Sequence, residues 1–552
     1  MNKVSDISSH SVTEITQSNV NKLSLKLPTP VKPDRLEVYL CGYNYLLKKY
    51  LLSGFRNGFR LDNTKFTPSD NDKTLKSARI QPDMIDNKLD KEIKLGRIQG
   101  PFKHCPFDNI VISPLGLVEK KVKGEYRVIH HLSFPQGSSI NDGIPREFAT
   151  VKYSNISDAI SNLVQLGKHS YMAKSDIKSA FRIIPINPLD YHLLGMKWKD
   201  QYYYDRCLPM GASSSCQIFE KFSTALQWIT EKLTSNCKIV HVLDDFMIMS
   251  ETKQQCKLAL KIFLYICEDI GVPIAPEKTF DPDTKMQFLG IDLDTEKMQA
   301  SIPDDKVTKF IKIIEEILES KSVTLKKLQS LTGMLNFACG VILPARAFSR
   351  RLYNLSKGVS KSYHHIKITQ DVKLDLCVWK TFLTNYNHKT LFLDLLWKDT
   401  NTLSLFTDSS TSVGYGGIFQ HKWFSGVWEG LTPDIHINIL ELYPICVALH
   451  LWGHSLRDQC INIVSDNLSI VYVLNSFTSK DKYIMILLRQ LVLTCMTYNI
   501  LIKSTHLSGR LNIIPDLLSR GQVHLALEKA PYLDELPTLI PPELKINKLL
   551  GI

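Results

Sequence analysis

Two acidic residues interrupt one of the most apolar stretches of this chain, Val242-Leu243-Asp244-Asp245-Phe246-Met247-Ile248-Met249. A carboxylate buried without a partner is expelled, protonated or neutralised, because removing its charge from water is costly. A divalent cation is the simplest neutraliser. The flanking runs, Ile239-Val240-His241-Val242 and Phe246-Met247-Ile248-Met249, read as two strands of a hairpin with Asp-Asp at the bend. A turn that merely favours Asp has the same local pattern, so the rest of the chain must decide.

At 552 residues, 44% of them hydrophobic, the chain is long enough for several domains with ordinary cores. Lys and Arg number 67 against 55 Asp and Glu, a formal net charge of +12. That excess suits a polyanionic partner, and equally a solvated basic surface. The 12 cysteines include no CxxC pair, which argues for free thiols in a reducing compartment rather than a disulfide framework or zinc knuckle. No apolar leader and no membrane-length run is present, so a soluble intracellular protein with no membrane partner is expected, in nucleus or cytoplasm.

Residues 1–34 are polar, end in Pro28, Pro30 and Pro33, and read as a disordered tail. A helix follows, with Leu40, Tyr43, Leu46, Leu47, Tyr50 and Leu51 on one face and Gly54 as its stop. Residues 111–300 alternate short apolar strands with helical segments, the pattern of an α/β or α+β domain. Two helices are predicted over 307–318 and 325–339, the second capped by Thr324, with Lys326, Lys327, Arg346, Arg350 and Arg351 lining that region. A linker near 356–370 and a Trp-bearing helix precede a new strand at Leu403.

Upstream of the hairpin, Tyr171-Met172-Ala173-Lys174-Ser175-Asp176 reads as a strand ending in a carboxylate. In-line phosphoryl transfer uses two metals about 3.5–4 Å apart, held by carboxylates from separate strands. Asp176 and Asp244 could hold both, with Asp245 assisting; a strand-ending Asp that caps the next turn is the alternative.

Asp176-x-x-x-x-Phe181, Leu208-Pro209-Met210-Gly211, Leu243-Asp244-Asp245 and Phe288-Leu289-Gly290 occur in the order of the reverse transcriptase motifs, and the chain resembles that family. The resemblance implies that Phe181 closes the sugar pocket against a 2′-hydroxyl. It also implies that Lys120 and Arg127, in a segment similar to the fingers hairpin, grip the incoming triphosphate, where Arg offers a fork and Lys a point charge. Lys121 could replace Lys120. Lys278 matches the lysine that follows the catalytic hairpin. Met210, before Gly211, stands where many relatives carry Gln, which implies different template and nucleotide contacts; Val242 stands where Tyr is common, which implies altered fidelity but unchanged metal binding.

The C-terminal part resembles the ribonuclease H fold in the order of its elements. A strand delivers Asp408, a glycine-rich strand covers 414–418, a third lies near 423–428, and a helix carries Glu441. A fourth strand ends at Asp466, and after two more helices a fifth leads to Pro515-Asp516-Leu517-Leu518-Ser519-Arg520. By that resemblance Asp408, Glu441, Asp466 and Asp516 are its four metal-binding carboxylates. Each has another reading: Glu441 could complete a capping box with Asn438, Asp516 favours any helix start, and Pro444 sits awkwardly in a helix, which must begin late or bend. His506 has the spacing of a mobile histidine in these enzymes, but also resembles a strand-end segment of retrotransposon versions that lack one. His454-Ser455-Leu456-Arg457 matches the His-x-x-Arg of tyrosine recombinases, without the rest of that frame, and is a chance match.

Together the resemblances imply a right-hand polymerase (fingers, palm, thumb) followed by a ribonuclease H-like domain, an α/β and α+β multidomain protein. They place an N-terminal helical extension and the start of the fingers at 35–110, fingers and palm at 111–300, thumb and connection at 301–398, a ribonuclease H domain at 399–525 and a C-terminal tail at 526–552. The implied activity is RNA-directed DNA synthesis with degradation of the RNA in the resulting hybrid. The implied cofactor is Mg²⁺, two per active site, or Mn²⁺; the partners are RNA template, DNA primer, RNA–DNA hybrid and dNTPs. Gly100-Pro101-Phe102, Ser113-Pro114-Leu115-Gly116-Leu117-Val118, His131-Leu132-Ser133 and Ser139-Ile140-Asn141-Asp142 look like the fingers of DIRS-like retrotransposons, which pair this enzyme with a separately encoded tyrosine recombinase. A Ty3-like element, or a domesticated non-catalytic nucleic-acid binder, is the alternative.

Overall fold

The computed structural model describes residues 26–69, 74–119, 124–385, 403–429, 435–457, 459–498 and 500–551. The chain forms two compact units, Met1–Ser154 with Met172–Pro282, and Asn155–Tyr171 with Asp283–Ile552.

The first unit begins with helices α1 (Pro33–Tyr39) and α2 (Tyr45–Asn57). Its three sheets are β1 (Ile98–Phe102) with β6 (Gln201–Asp205) and β5 (Gly195–Trp198); β2 (Leu115–Glu119) with β3 (Tyr126–His130); and the order β7-β8-β4-β9. In that last sheet β4 is Tyr171–Asp176, β7 is Cys237–Val242, β8 is Asp245–Ser250 and β9 is Phe280–Asp283. Helices α3 (Ser215–Leu233) and α4 (Lys253–Ile270) are the longest of the unit's helices among the described residues. Phe246, Met247, Ile248 and Met249 of β8 are wholly buried, which is why that strand reads as an unbroken apolar run rather than an alternating one. α4 starts at a Thr252/Gln255 capping box, buries Cys256, Ala259, Leu260, Phe263, Ile266, Cys267 and Ile270, and stops at Gly271 in the left-handed region.

Two sequence expectations fail in this unit. Residues 26–34 are not tail: Thr29 Oγ1 donates to the Ile183 carbonyl, Val31 is buried, and Lys32 N donates to the Ile270 carbonyl. Residues 1–25 lie outside the described residues. Gly54 does not end its helix. α2 runs to Asn57 and stops at Gly58 (φ 85°), while a Cβ on Gly54 would lie 2.2 Å from the Phe59 ring. Small size for packing, not a turn, explains this glycine.

The second unit contains the sheet β10-β11-β12 (Lys285–Phe288, Ile291–Asp294, Gln299–Ser301), then α5 (Asp304–Glu319), β13 (Ser322–Thr324), α6 (Leu325–Ala338), β14 (His365–Lys367) and α7 (Gln370–Asn385). Thr324 caps α6 as expected, its side chain accepting from Lys327 N. The compact-unit boundary falls after residue 282, not at 300, because the β10–β11 turn belongs with the helices: Lys306 Nζ donates to the Gly290 carbonyl at 2.8 Å and stacks on Phe337. The expected linker 356–370 contains β14, which pairs with β13.

The same unit carries a five-stranded sheet of order β17-β16-β15-β18-β19: β15 Leu403–Ser409, β16 Gly414–Phe419, β17 Lys422–Val427, β18 Cys460–Ser465 and β19 Leu501–His506. β15 pairs antiparallel with β16 and parallel with β18, and β18 pairs parallel with β19. Helices α8 (Ile437–Trp452), α9 (Leu468–Ser476), α10 (Lys482–Tyr498) and α11 (Ile513–Ser519) follow the predicted order. α11 lies against β16, where a Cβ on Gly416 would sit 2.5 Å from Leu518 Cβ, so the glycine-rich strand makes room for the helix.

α8 begins at Ile437 and runs through Pro444. Proline cannot donate to the carbonyl four residues back, Leu440, and the Ser409 hydroxyl donates there instead at 2.8 Å. The Asn438–Glu441 capping box does not form: His436 caps the helix, and the Asn438 side chain accepts from Asn467. Residues 526–552 are not a tail either. Helices α12 (Val523–Lys529) and α13 (Ile546–Leu550) bracket a segment whose Ala530, Leu533 and Leu544 are buried. Trp423 Nε1 donates to the Asp534 carbonyl, and the Tyr443 hydroxyl to the Leu544 carbonyl.

Among the described residues no helix is long and apolar enough to cross a membrane, and all 12 cysteines are free.

Candidate active sites

The first site lies at the tips of β4, β7 and β8. Val242 pairs with Asp245, so Leu243 and Asp244 form a two-residue turn, with Leu243 at φ 55°. Asp245 is thus the first residue of β8 rather than part of the bend. Ile177 N donates to the Asp244 carbonyl at 3.0 Å, which joins the end of β4 to the turn and sets Asp176 beside Asp244.

Asp176 is buried and accepts from Lys278 Nζ at 2.9 Å; Lys174 Nζ lies 3.1 Å from Asp245 Oδ2. Burial, and then the Asp176 charge, raise the Asp244 carboxyl above its ordinary range. Burial raises Asp245 too, against the pull of Lys174. Asp245 Oδ1 is buried with no hydrogen-bond partner. The three carboxylates do not close into one tight cluster here. Two lysines supply the countercharge that a cation otherwise would, each drawing one carboxylate to itself. Lys278 was anticipated; Lys174, an alternating strand residue, was not.

Around this centre, Phe181 is half-buried, its ring 5.4 Å from Phe219 in an edge-on contact. Met210 is exposed. Gly211 faces the His130 carbonyl, only 2.5 Å from where a Cβ would stand, and its own carbonyl accepts from Asn141 Nδ2. That approach excludes any side chain at 211. Arg127 is exposed on β3 opposite Val118. Lys120 and Lys121 lie outside the described residues.

The second site is on the five-stranded sheet. Parallel pairing of Phe406 with Val464, extended by two residues, sets Asp408 beside Asp466. α8 brings Glu441 to the same point. Ligand oxygens of Asp408, Glu441 and Asp466 all lie within 4.8 Å of one another, a set able to hold a metal ion. Burial, then Asp408 and Asp466, push Glu441 up to about 9; burial pushes Asp408 up to about 6. Glu441 Oε2 is buried with no hydrogen-bond partner. Like charges converge on an unsatisfied oxygen, and the donor set fits a hard divalent cation.

Asp516 stands outside that triad, its carboxylate accepting from Arg520 Nε at 2.7 Å, though its charge is felt at Asp408. Ser519, which sequence reasoning missed, donates to Asp408 Oδ2 at 2.6 Å. The Asn512 side chain ties α11 to the Thr407 carbonyl. His506 is exposed at the end of β19, with Nε2 3.1 Å from the Asp466 carbonyl oxygen. Gly509 packs on Asp466, whose Oδ2 lies 2.9 Å from where a Cβ would stand. Of the basic residues lining the region of α6 and beyond, Lys327 pairs with Glu316 at 2.9 Å and Arg351 with Asp375 at 2.8 Å.

Residues 118–293 match the family described as reverse transcriptase (RNA-dependent DNA polymerase), and span the first site. The chain carries a reverse transcriptase domain of the kind found in retrotransposon and retroviral polyproteins. It is 24% identical over 307 residues to the retrovirus-related Pol polyprotein from transposon opus of Drosophila melanogaster, covering 55% of this chain and 28% of that protein. It is 27% identical over 277 residues to Protein P of duck hepatitis B virus (strain China), covering 50% and 33%. A solved structure, of the foamy viral protease-reverse transcriptase dRH in complex with double-stranded DNA, shares its fold at a TM-score of 0.50 and 17% identity, over 89% of this chain and 85% of that one. The chain thus spans a third or less of the length of those two curated relatives.

Proposed function

We propose that this chain is an RNA-directed DNA polymerase with ribonuclease H activity, copying a retroelement RNA into DNA and degrading the RNA strand of the hybrid. The observation that carries the reading is the backbone bond from Ile177 to Asp244, which sets two strand-tip carboxylates side by side within the matched family segment. Asp176, Asp244 and Asp245 would hold Mg²⁺ or Mn²⁺ at the first site; Asp408, Glu441 and Asp466, with Asp516 nearby, at the second. The cations, when bound, supply Lewis-acid stabilisation of the attacking and leaving oxygens of an in-line displacement.

The chain's own groups do the rest. Arg127 contacts the incoming dNTP phosphates, and Lys120 is the second candidate. Phe181, backed by Phe219, walls the sugar pocket, and Gly211 lets its loop pack on the His130 carbonyl beside that pocket. Lys278 and Lys174 pair with Asp176 and Asp245, and would give up those contacts were the carboxylates to hold cations. At the second site Ser519 orients Asp408, and strand choice follows the 2′-hydroxyls of the RNA. The fingers segments that resemble DIRS-like elements support reading the element as one of that group, with a separately encoded tyrosine recombinase as partner.

The test is dTTP incorporation on poly(rA)/oligo(dT) with Mg²⁺, alongside cleavage of a labelled RNA–DNA hybrid. Both activities are expected. Folded protein that binds the duplex but incorporates nothing would instead be a non-catalytic binder.

A further inference from the structure

Behind the Leu243–Asp244 turn runs a line of buried polar side chains that no part of the proposed chemistry uses. Glu220, on α3, is buried, and its Oε2 accepts a hydrogen bond from Leu243 N at 3.0 Å. Its Oε1 lies 3.3 Å from Nε2 of His241, a buried residue of β7 stacked on Phe246. The other ring nitrogen, Nδ1, is 2.6 Å from Gln227 Oε1. The orientation of that amide is fixed, because Gln227 Nε2 donates to the Ile239 carbonyl at 2.9 Å and to Glu231 Oε1 at 3.3 Å. The amide oxygen therefore faces His241, whose Nδ1 carries the proton.

Leu243 adopts a left-handed conformation (φ 55°) that a branched aliphatic residue seldom takes. The two-residue turn between Val242 and Asp245 demands that conformation, and the bond from Leu243 N to Glu220, outside the hairpin, is placed to support it. We propose that Glu220 is a positioning residue: buried on α3, it pins the Leu243 amide and so sets the direction in which the next residue, Asp244, presents its carboxylate. The proposal rests on the reading of Asp244 as a metal-holding residue of a polymerase.

The test uses the full chain with Glu220→Ala and Glu220→Gln. The glutamine keeps an oxygen to accept from Leu243 N and loses only the charge. Hydrogen exchange at the Leu243 amide reads the bond directly; kcat and KM for dTTP on poly(rA)/oligo(dT), with the Mn²⁺ concentration at half-maximal rate, read its consequence. Cleavage of an RNA–DNA hybrid at the second site serves as the folding control. Glu220→Ala is expected to lose protection at Leu243, to lower kcat by about 10–100-fold, the scale seen when a group supporting a metal ligand is removed, to require more Mn²⁺ and to leave KM and hybrid cleavage near their starting values. Glu220→Gln is expected to restore protection and most of kcat. Unchanged Leu243 exchange or unchanged kcat in Glu220→Ala would overturn the proposal, as would Glu220→Gln behaving like Glu220→Ala. Were the unaltered chain unable to incorporate dTTP, the polymerase reading would fall, and the exchange comparison would still decide whether Glu220 holds the turn.

Discussion

A carboxyl held at about 9 is a strong perturbation for a residue whose free value is about 4.3, and at Glu441 its cause is burial beside two other carboxylates. Without a cation Glu441 keeps its proton through neutral pH, so the stability that the proton confers is fully present below the ordinary glutamate range and is lost as pH rises through about 9. A cation needs the ionised group and must displace that proton, so its grip strengthens over the same window. The rise in unfolding temperature produced by a fixed Mn²⁺ concentration should therefore grow between pH 6.5 and pH 8.5. Glu441→Gln should raise the melting temperature of metal-free protein near pH 8 and flatten the growth of the Mn²⁺ effect with pH. A Mn²⁺-induced shift that is flat across this range would mean that Glu441 does not face the ion.

At the scale of elements, α8 depends on a bond no single-segment reading could supply. Pro444 deprives the Leu440 carbonyl of its helical donor, and Ser409, in a different strand, fills the vacancy. Ser409→Ala should then cost about 1–3 kcal/mol by urea denaturation, the price of an unsatisfied buried carbonyl. In a Pro444→Ala background, where residue 444 regains an N–H, the same change should cost far less. Equal costs in both backgrounds would show that the hydroxyl does not compensate the proline. This pair marks where sequence reasoning stopped. The β7–β8 hairpin, the strand ending at Asp176 and the strands carrying Asp408 and Asp466 were legible because apolar runs end abruptly in a carboxylate. Thr324 was legible as a cap because its partner is three residues away. Ser519, Lys174 and Glu220 were not, since each acts across more than 20 residues of sequence. Gly54 and residues 526–552 misled for a related reason: a glycine against an aromatic ring looks like a helix stop, and a short-helix segment interrupted by prolines looks like a tail until the Tyr443 and Trp423 donors that bind it are seen.

On the scale of the whole molecule, the two carboxylate sets belong to different compact units and share no residue. If each serves its own reaction, the reactions must be separable by substitution. Asn is close to Asp in shape but cannot balance a cation's charge, so Asp244→Asn should lower primer extension by at least about 10²-fold, the scale of losing one group that stabilises transition-state charge, and leave hybrid cleavage intact. Asp466→Asn should do the reverse. The informative substrate is one RNA–DNA hybrid with a recessed DNA 3′ end, on which extension and cleavage are read from the same reaction. This controls for duplex binding, since a variant that had merely lost its grip on nucleic acid would lose both signals together. Loss of both in Asp244→Asn, with duplex binding unchanged, would contradict two separate centres. It would require that cleavage depend on residues of the first unit.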